Sequence, residues 1–292
     1  MFTYLRRDKT SPAAEIGSRV RRFSRNCISI LAMALAVGAL QQARAGVGDR
    51  VRIGQAGDWK NTIAVAVKND RLYTVEKSGT LYVTDLSSGR WSSVGQAVFA
   101  GTRFMFAAGQ NLYMIMADGS LYRVNPLNGA YSRLGQPGQW KDTIAGTALN
   151  GQLYTIERSG GLYQTSIQSG TWRQVGKPDF AGARLMVGAF QALYTIENNG
   201  IFFVNPANGS WEMLGKAANW SGTRAAAIVG TYLYSANQNG KLYVSHLTNG
   251  QLAVIGQPVF GSTAYMFENR NRLYAIDADG SLYYIETSRS AG

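Results

Sequence analysis

"LYTVEKSGTLYV", residues 72–83, holds the pair Leu-Tyr twice, nine residues apart, on either side of Ser78-Gly79. Successive side chains of a pleated strand face opposite sides, and glycine reaches the positive φ that a tight hairpin turn demands. Alternating apolar residues around an x-Gly dipeptide therefore predict a β-hairpin. The weight of this hairpin lies in its recurrence. Leu-Tyr opens a similar segment at residues 72, 112, 153, 193, 233 and 273, at spacings of 40 or 41 residues.

A fixed period of this length with strand-like content predicts a propeller or a solenoid. Each unit reads alike. An aromatic residue (Trp59, Phe99, Trp140, Phe180, Trp220, Phe260) stands 13 residues before each Leu-Tyr. An apolar strand such as "RFMFAAG" (103–109) follows it, then "NLYMIMA", the turn "DG", "SLYRVN", a second turn "PLNG", and "AYSRLG". That makes four short strands per unit, the last often carrying Trp (Trp91, Trp172, Trp211). The hairpin turns Ser78-Gly79, Asp118-Gly119, Ser159-Gly160, Asn199-Gly200, Asn239-Gly240 and Asp279-Gly280 use the residue types such turns need.

The ends of the repeat array complement one another. The last unit reaches only its third strand, "SLYYIETS" (281–288). The segment "GDRVRIG" (48–54) aligns with the outer strand "GRWSSVG" (89–95) but has no unit of its own. The expectation is an all-β, six-bladed β-propeller of four-stranded antiparallel blades, the N-terminal strand completing the last blade and closing the ring. Closure removes exposed strand edges. Trp alternates with Phe at the repeated aromatic, so blade pairs recur at 80–81 residues and predict two kinds of site, three of each.

Residues 1–45 differ from the rest. Arg6, Arg7, Lys9, Arg19, Arg21, Arg22 and Arg25 precede the apolar run "ISILAMALAVGAL" (28–40) and then "QQARAG". Basic, apolar and Ala-x-Ala regions in that order predict a signal peptide cleaved after Ala45, and a secreted or periplasmic protein. "RRF" at 21–23 gives a twin-arginine signal as the alternative to ordinary Sec export. The apolar run is too short to span a bilayer, so no membrane span is expected after cleavage. Residues 46–292 form the single propeller domain.

The leader holds eight of the 29 Lys and Arg residues and two of the 17 Asp and Glu, leaving 21 basic against 15 acidic side chains, net +6. These charges are scattered through the units rather than gathered in a stripe, which argues against a nucleic-acid partner. The one cysteine, Cys27, lies in the leader, so thiolate and disulfide chemistry are excluded from the domain. A monomer needing no cofactor is expected.

Catalytic residue types are sparse. His246, the only histidine, falls in the turn "SHLTNG" with no partner histidine or cysteine, and no GxSxG, HExxH or phosphate loop occurs. "DADGS" (277–281) resembles a calcium loop, but position 12 is Ser288 and not the bidentate Glu, so a turn and no metal site is expected. Non-enzymatic binding is the reading. Two residue sets are candidates for it. The six aromatics, above all Trp59, Trp140 and Trp220, have the flat apolar faces and N–H groups on which sugars stack, although inter-blade packing would use the same rings. Arg103, Arg184 and Arg224 begin the inner strands ("GTR", "GAR", "GTR") and would converge on an anionic ligand in the channel, or simply be solvated. Glu76, Glu157 and Glu197 follow "LYT(V/I)", with Asp277, Met116 and Asn237 in the other units. Alternation predicts outward-facing polar residues there, and a carboxylate ring around a ligand or cation is the other reading.

"VGQAVFAGTRFMFAAGQNLYMIMADGSLYRVNP" (94–126), with weaker copies through residues 48–288, resembles the repeat of tachylectin-type β-propeller lectins, here with six shorter blades in place of five. The resemblance implies multivalent binding of N-acetylated sugars in shallow sites between blades, at Trp59, Trp140 and Trp220 and, in alternate blades, Phe99, Phe180 and Phe260. A protein-interaction scaffold of the cell envelope is the competing function.

Overall fold

A computed structural model describes residues 46–216, 218 and 220–287. The predicted signal peptide lies outside them. Among the described residues every regular element is a β-strand. β1 is Arg50–Ile53. Blade 1 comprises β2 (Thr62–Lys68), β3 (Arg71–Glu76), β4 (Leu81–Asp85) and β5 (Trp91–Val94). Blade 2 comprises β6 (Thr102–Ala108), β7 (Asn111–Met116), β8 (Leu121–Val124) and β9 (Tyr131–Leu134). Blade 3 runs through β10 (Thr143–Leu149), β11 (Gln152–Glu157), β12 (Leu162–Ser166) and β13 (Trp172–Val175). Blade 4 runs through β14 (Leu185–Ala189), β15 (Ala192–Ile196), β16 (Ile201–Val204) and β17 (Trp211–Met213). Blade 5 holds β18 (Thr223–Val229), β19 (Tyr232–Asn237), β20 (Leu242–His246) and β21 (Leu252–Ile255). Blade 6 holds β22 (Thr263–Asn269), β23 (Arg272–Asp277) and β24 (Leu282–Ile285).

The fold is the six-bladed propeller that the period predicts: six four-stranded antiparallel sheets, five of consecutive strands and the sixth in the order β1-β24-β23-β22. In that last sheet Arg50 lies opposite Ile285 and Ile53 opposite Leu282. The Gly48 N–H donates to the Glu286 carbonyl at 2.7 Å, and the Glu286 N–H to the Asp49 carbonyl at 2.9 Å. The inner strands follow one another as β2, β6, β10, β14, β18 and β22, with β22 again beside β2.

The first Leu-Tyr of each repeat is core. Its leucines (72, 112, 153, 193, 233, 273) are at most 1% exposed and its tyrosines at most 5%. They sit on the second strand of each blade, which has a blade face on either side and so buries both of its faces. One cluster shows the arrangement: Tyr73, Val75 and Leu81 of blade 1 pack against Phe99, Met105 and Leu112 of blade 2. Burying a leucine side chain contributes about 1.5–3 kcal/mol, so repeated wedges supply cohesion that no blade has alone.

Two further features of the repeat have steric causes. Five inner strands carry a register shift at their start, as between Thr102 and Phe104, so the residue in between leaves the ladder. A bulge of this kind re-aims one side chain without disturbing the strand after it. The glycine closing each unit meets a turn glycine of the next blade. A Cβ on Gly95 would stand 2.9 Å from the Gly129 Cα and 2.7 Å from the Asn128 carbonyl oxygen, a gap only hydrogen fits.

Candidate functional site

The six repeated aromatics are inter-blade core. Trp59, Phe99, Trp140, Phe180, Trp220 and Phe260 are 0–6% exposed. Their backbones explain the depth. The Phe99 N–H donates to the Gly79 carbonyl of the preceding blade's hairpin at 2.9 Å, and its own carbonyl accepts from the Thr102 N–H at 3.2 Å. Trp140 repeats this with Gly119 at 3.0 Å and Phe260 with Gly240 at 2.8 Å. The ring is thus drawn under the hairpin. The Trp59 Nε1–H donates to Thr84 Oγ1 at 3.4 Å, within the blade. Rings held this way keep almost no exposed surface for a sugar to lie on, although Trp59 and Phe99 form part of the floor of the clefts in blades 1 and 2.

Nor do the arginines converge in the channel. Arg103 and Arg224 are the bulge residues of β6 and β18, and each side chain turns to the next blade. Arg103 donates from Nη1 to the Lys141 carbonyl at 2.7 Å and from Nη2 to the Thr143 carbonyl at 2.5 Å. Arg184 donates to the carbonyls of Trp220 at 3.1 Å, Thr223 at 3.2 Å and Ser221. Arg224 Nε donates to the Thr263 carbonyl at 3.4 Å. Guanidinium groups thus tie blade 2 to blade 3, blade 4 to blade 5 and blade 5 to blade 6, a use of several donors that an ammonium does not match.

The carboxylates at the end of the second strand do face a cavity. In blade 1, Glu76, Lys77, Ser78, Tyr82 and Trp91 border a cleft of about 410 Å³, with Asn61 at its rim. Two blades on, Glu157, Arg158, Ser159, Tyr163 and Trp172 border one of about 470 Å³, with Asp142 in the place of Asn61. Residue for residue the two clefts share a glutamate, a cation, a serine, a tyrosine and a tryptophan. Trp91 meets Tyr82 edge-on at 5.2 Å, and Trp172 stacks on Tyr163 at 4.0 Å. Trp91 is half exposed, at 49%.

The glutamates are not outward-facing, as alternation would have them. Glu157 is 6% exposed and Glu76 partly buried, because the aromatic segment of the blade interface folds over the strand end. A threonine hydroxyl serves each: Thr62 Oγ1 donates to Glu76 at 3.0 Å and Thr143 Oγ1 to Glu157 at 2.7 Å. Burial raises both carboxyls above their ordinary value, and the threonine bonds pull them partway back.

The remaining blades vary the same position. Blade 2 has a smaller, less polar cleft with Met116, Tyr122 and Tyr131. In blade 4 the Trp211 Nε1–H donates to Asp179 Oδ2 at 3.1 Å. Blade 5 offers Asn237, Tyr243 and Leu252. In blade 6 the place of Trp91 is taken by Arg50, bonded to Asp277 at 2.7 Å. The expected threefold doublet is therefore complete in chemistry only in blades 1 and 3. The outer-strand tryptophans were visible in the sequence, but nothing local marks them as lining a cleft.

The axial channel is a separate cavity of about 650 Å³, walled by Phe104, Phe106, Met186, Tyr265 and Phe267 among others, with Phe190 at its edge. Phe190 is 64% exposed and holds φ +49° in the turn after β14. His246 is not in the turn expected of it but is the last residue of β20, opposite Tyr232 in the ladder; its Nδ1 accepts from the Thr248 N–H at 3.2 Å, and its ring is edge-on to Tyr232 at 4.9 Å.

No family model matches the chain. No curated protein matches it. Solved structures do, at the level of fold. Virginiamycin B lyase from Staphylococcus aureus superposes with a TM-score of 0.57 and 10% identity, over 82% of this chain and 98% of the other. YCF48 bound to D1 peptide gives 0.57 and 17% identity, over 79% of each chain. BamB from Moraxella catarrhalis gives 0.51 and 15%, over 79% of this chain and 84% of the other. At these identities the likeness shows the propeller and no more.

Proposed function

We propose that this protein is an exported, non-enzymatic binding propeller whose ligand is a segment of a protein partner. One observation carries the reading: equivalent clefts around the ring bear different chemistry. An acid with a tryptophan in blades 1 and 3, tyrosines and a methionine in blade 2 and a tryptophan–aspartate pair in blade 4 suit a partner whose successive side chains differ. A multivalent lectin of the tachylectin kind needs the opposite, equal sites repeated, since its avidity comes from engaging one ligand many times. The burial of all six repeated aromatics weighs the same way. A propeller of like shape has been solved with a peptide bound, which lends the reading precedent but no residues. Export rests on the leader at residues 1–45, and the absence of catalysis on the only histidine, at the end of β20, being engaged by the backbone of Thr248.

Carbohydrate is the second reading. A half-exposed Trp91 beside Glu76 and Asn61 has the aromatic platform and polar edge a sugar requires. Parallel peptide and glycan arrays probed with the purified protein decide between them. Retention of discrete peptides without glycans is the expected result. Saturable glycan binding that W91A and W172A abolish, with no peptide retained, overturns the proposal.

A further inference from the structure

Blade 6 contains the cleft of blades 1 and 3 already filled. Arg50 stands opposite Ile285, three residues past Leu282; Trp91 stands opposite Thr84 and Trp172 opposite Thr165, three past Leu81 and Leu162. All three positions are equivalent. The Arg50 guanidinium lies 4.3 Å from the ring centre of Tyr283, the counterpart of Tyr82 and Tyr163, and 5.3 Å from that of Phe260. Its Nη1 meets Asp277 Oδ2 at 2.7 Å, while Asp277 Oδ1 accepts from Thr263 Oγ1 at 3.0 Å. Threonine, carboxylate and tyrosine thus recur in all three blades. Among the described residues only blade 6 brings a cation into contact with that carboxylate; in blade 3 Arg103 acts on Glu157 from farther off.

In blades 1 and 3 the carboxylate has no cation within 4.0 Å among the described residues, and a tryptophan stands in the place of Arg50 as one wall of an open cleft, Trp91 edge-on to Tyr82 and Trp172 stacked on Tyr163. We infer that the clefts at Glu76–Tyr82–Trp91 and Glu157–Tyr163–Trp172 each receive a guanidinium-bearing side chain of the partner. This rests on the protein-segment reading above and names the chemistry its ligand must carry. A planar guanidinium suits the pocket because it stacks on flat rings while its edge meets the carboxylate. Lys77 and Arg158 stand at the rims and oppose a cation. Both are exposed, so water and salt screen that repulsion far more than the attraction of the deeper glutamates.

The test uses N-acetyl-arginine amide and its neutral isostere N-acetyl-citrulline amide, titrated by tryptophan fluorescence and calorimetry. The arginine probe should bind at two equivalents, at least about tenfold more tightly than the citrulline probe, a difference of about 1.4 kcal/mol. E76Q and E157Q should each remove one equivalent. Glu76 is the safer position should E157Q melt, since it is less buried. R50A should gain a third equivalent, and its lowered melting temperature should climb with the arginine probe but not with citrulline, because a ligand that binds only the folded state stabilises it. Equal affinity for the two probes, unaltered stoichiometry in a folded E76Q, or an R50A that keeps two equivalents would each overturn the inference. The parent reading fails separately: arginine-probe binding with no peptide retained on the array discards the protein segment and keeps the cation clefts, whereas array peptides bound without any basic residue do the reverse.

Discussion

Arg50 and Asp277 form an ion pair across 227 residues of sequence, at 2.7 Å, with side chains 17% and 4% exposed. It fastens the N-terminal strand to the second strand of the last blade. Removing one partner strands the other charge in a poorly solvated site, which costs about 3–5 kcal/mol for buried pairs. R50A and D277N should each melt about 6–20 °C lower, given about 2–4 °C per kcal/mol in a domain of this size. An unchanged melting temperature in both would show that the strand is held by its ladder alone.

Trp140 has no exposed surface and packs beside Trp172 at 6.2 Å. W140A should destabilise by about 3–5 kcal/mol through lost burial and the cavity left behind. W140F should be milder, since Phe99, Phe180 and Phe260 fill the equivalent place in alternate blades. Denaturant unfolding of both variants checks this. Any ligand binding that W140A loses and W140F keeps is then a folding effect.

Arg103 bonds two carbonyls of the next inner strand, so R103A leaves both short of donors. A loss of about 1.5–3 kcal/mol is expected for bonds from a charged donor. R103K should recover less than half, because an ammonium cannot span both acceptors in the plane of the fork. Full recovery by lysine, seen in chemical denaturation, would reduce the role to charge.

Phe190 holds φ +49° where other blades place Asn69, Gly109, Asn150, Gly230 or Arg270. An aromatic residue in the left-handed region is strained by about 1–2 kcal/mol. With its ring 64% exposed, little packing offsets that. F190G should therefore stabilise the protein by about 1 kcal/mol. A destabilised F190G would mean that the ring's contact with the channel edge outweighs the backbone strain.

Glu157 titrates above the ordinary 4.5 because burial disfavours its charged form, and Glu76 and Glu197 shift the same way. Between the ordinary and folded values the native state holds protons the unfolded chain has released, so stability falls as pH rises through that window. Asp85 opposes this lower down. Hydrogen bonds from Ser87 and Ser88 hold it at about 2, so its contribution is present above 3.8 and lost as pH falls from 3.8 to about 2. E157Q should flatten the decline from 4.5 upward and leave the acid limb unaltered. Urea melts across pH read both limbs, and an identical decline in E157Q would clear Glu157 of the effect.

The blade plan was legible because it rests on spacing. Leu-Tyr every 40 or 41 residues needs no tertiary knowledge, and turns such as Asp118-Gly119 are dictated by local backbone preference. The site was far less so. A repeated tryptophan is chemically the same whether it wedges or stacks, and only the bond from Phe99 N–H to Gly79 of the previous blade shows which. Arg103 does border the channel, as its place at the start of an inner strand implies, but it is the bulge residue of β6 and its guanidinium turns to carbonyls of the next blade. The alignment of "GDRVRIG" with "GRWSSVG" already pairs Arg50 with Trp91, but two residue types that share nothing gave no sign that both stand at the same cleft.

The N-terminal strand also sets an order of events. Every other strand pairs with a neighbour joined by one short turn, and such hairpins close early because little chain entropy is lost in forming them. The sheet of β1 and β24 brings together segments more than two hundred residues apart, so it is the slowest pairing to form and must wait for all the intervening blades. Until then the chain is an arc with two raw edges. A stop within the final blade would leave five complete sheets and no ring, and the sticky intermediate, rather than any loss of a binding cleft, would be the damage the cell has to deal with.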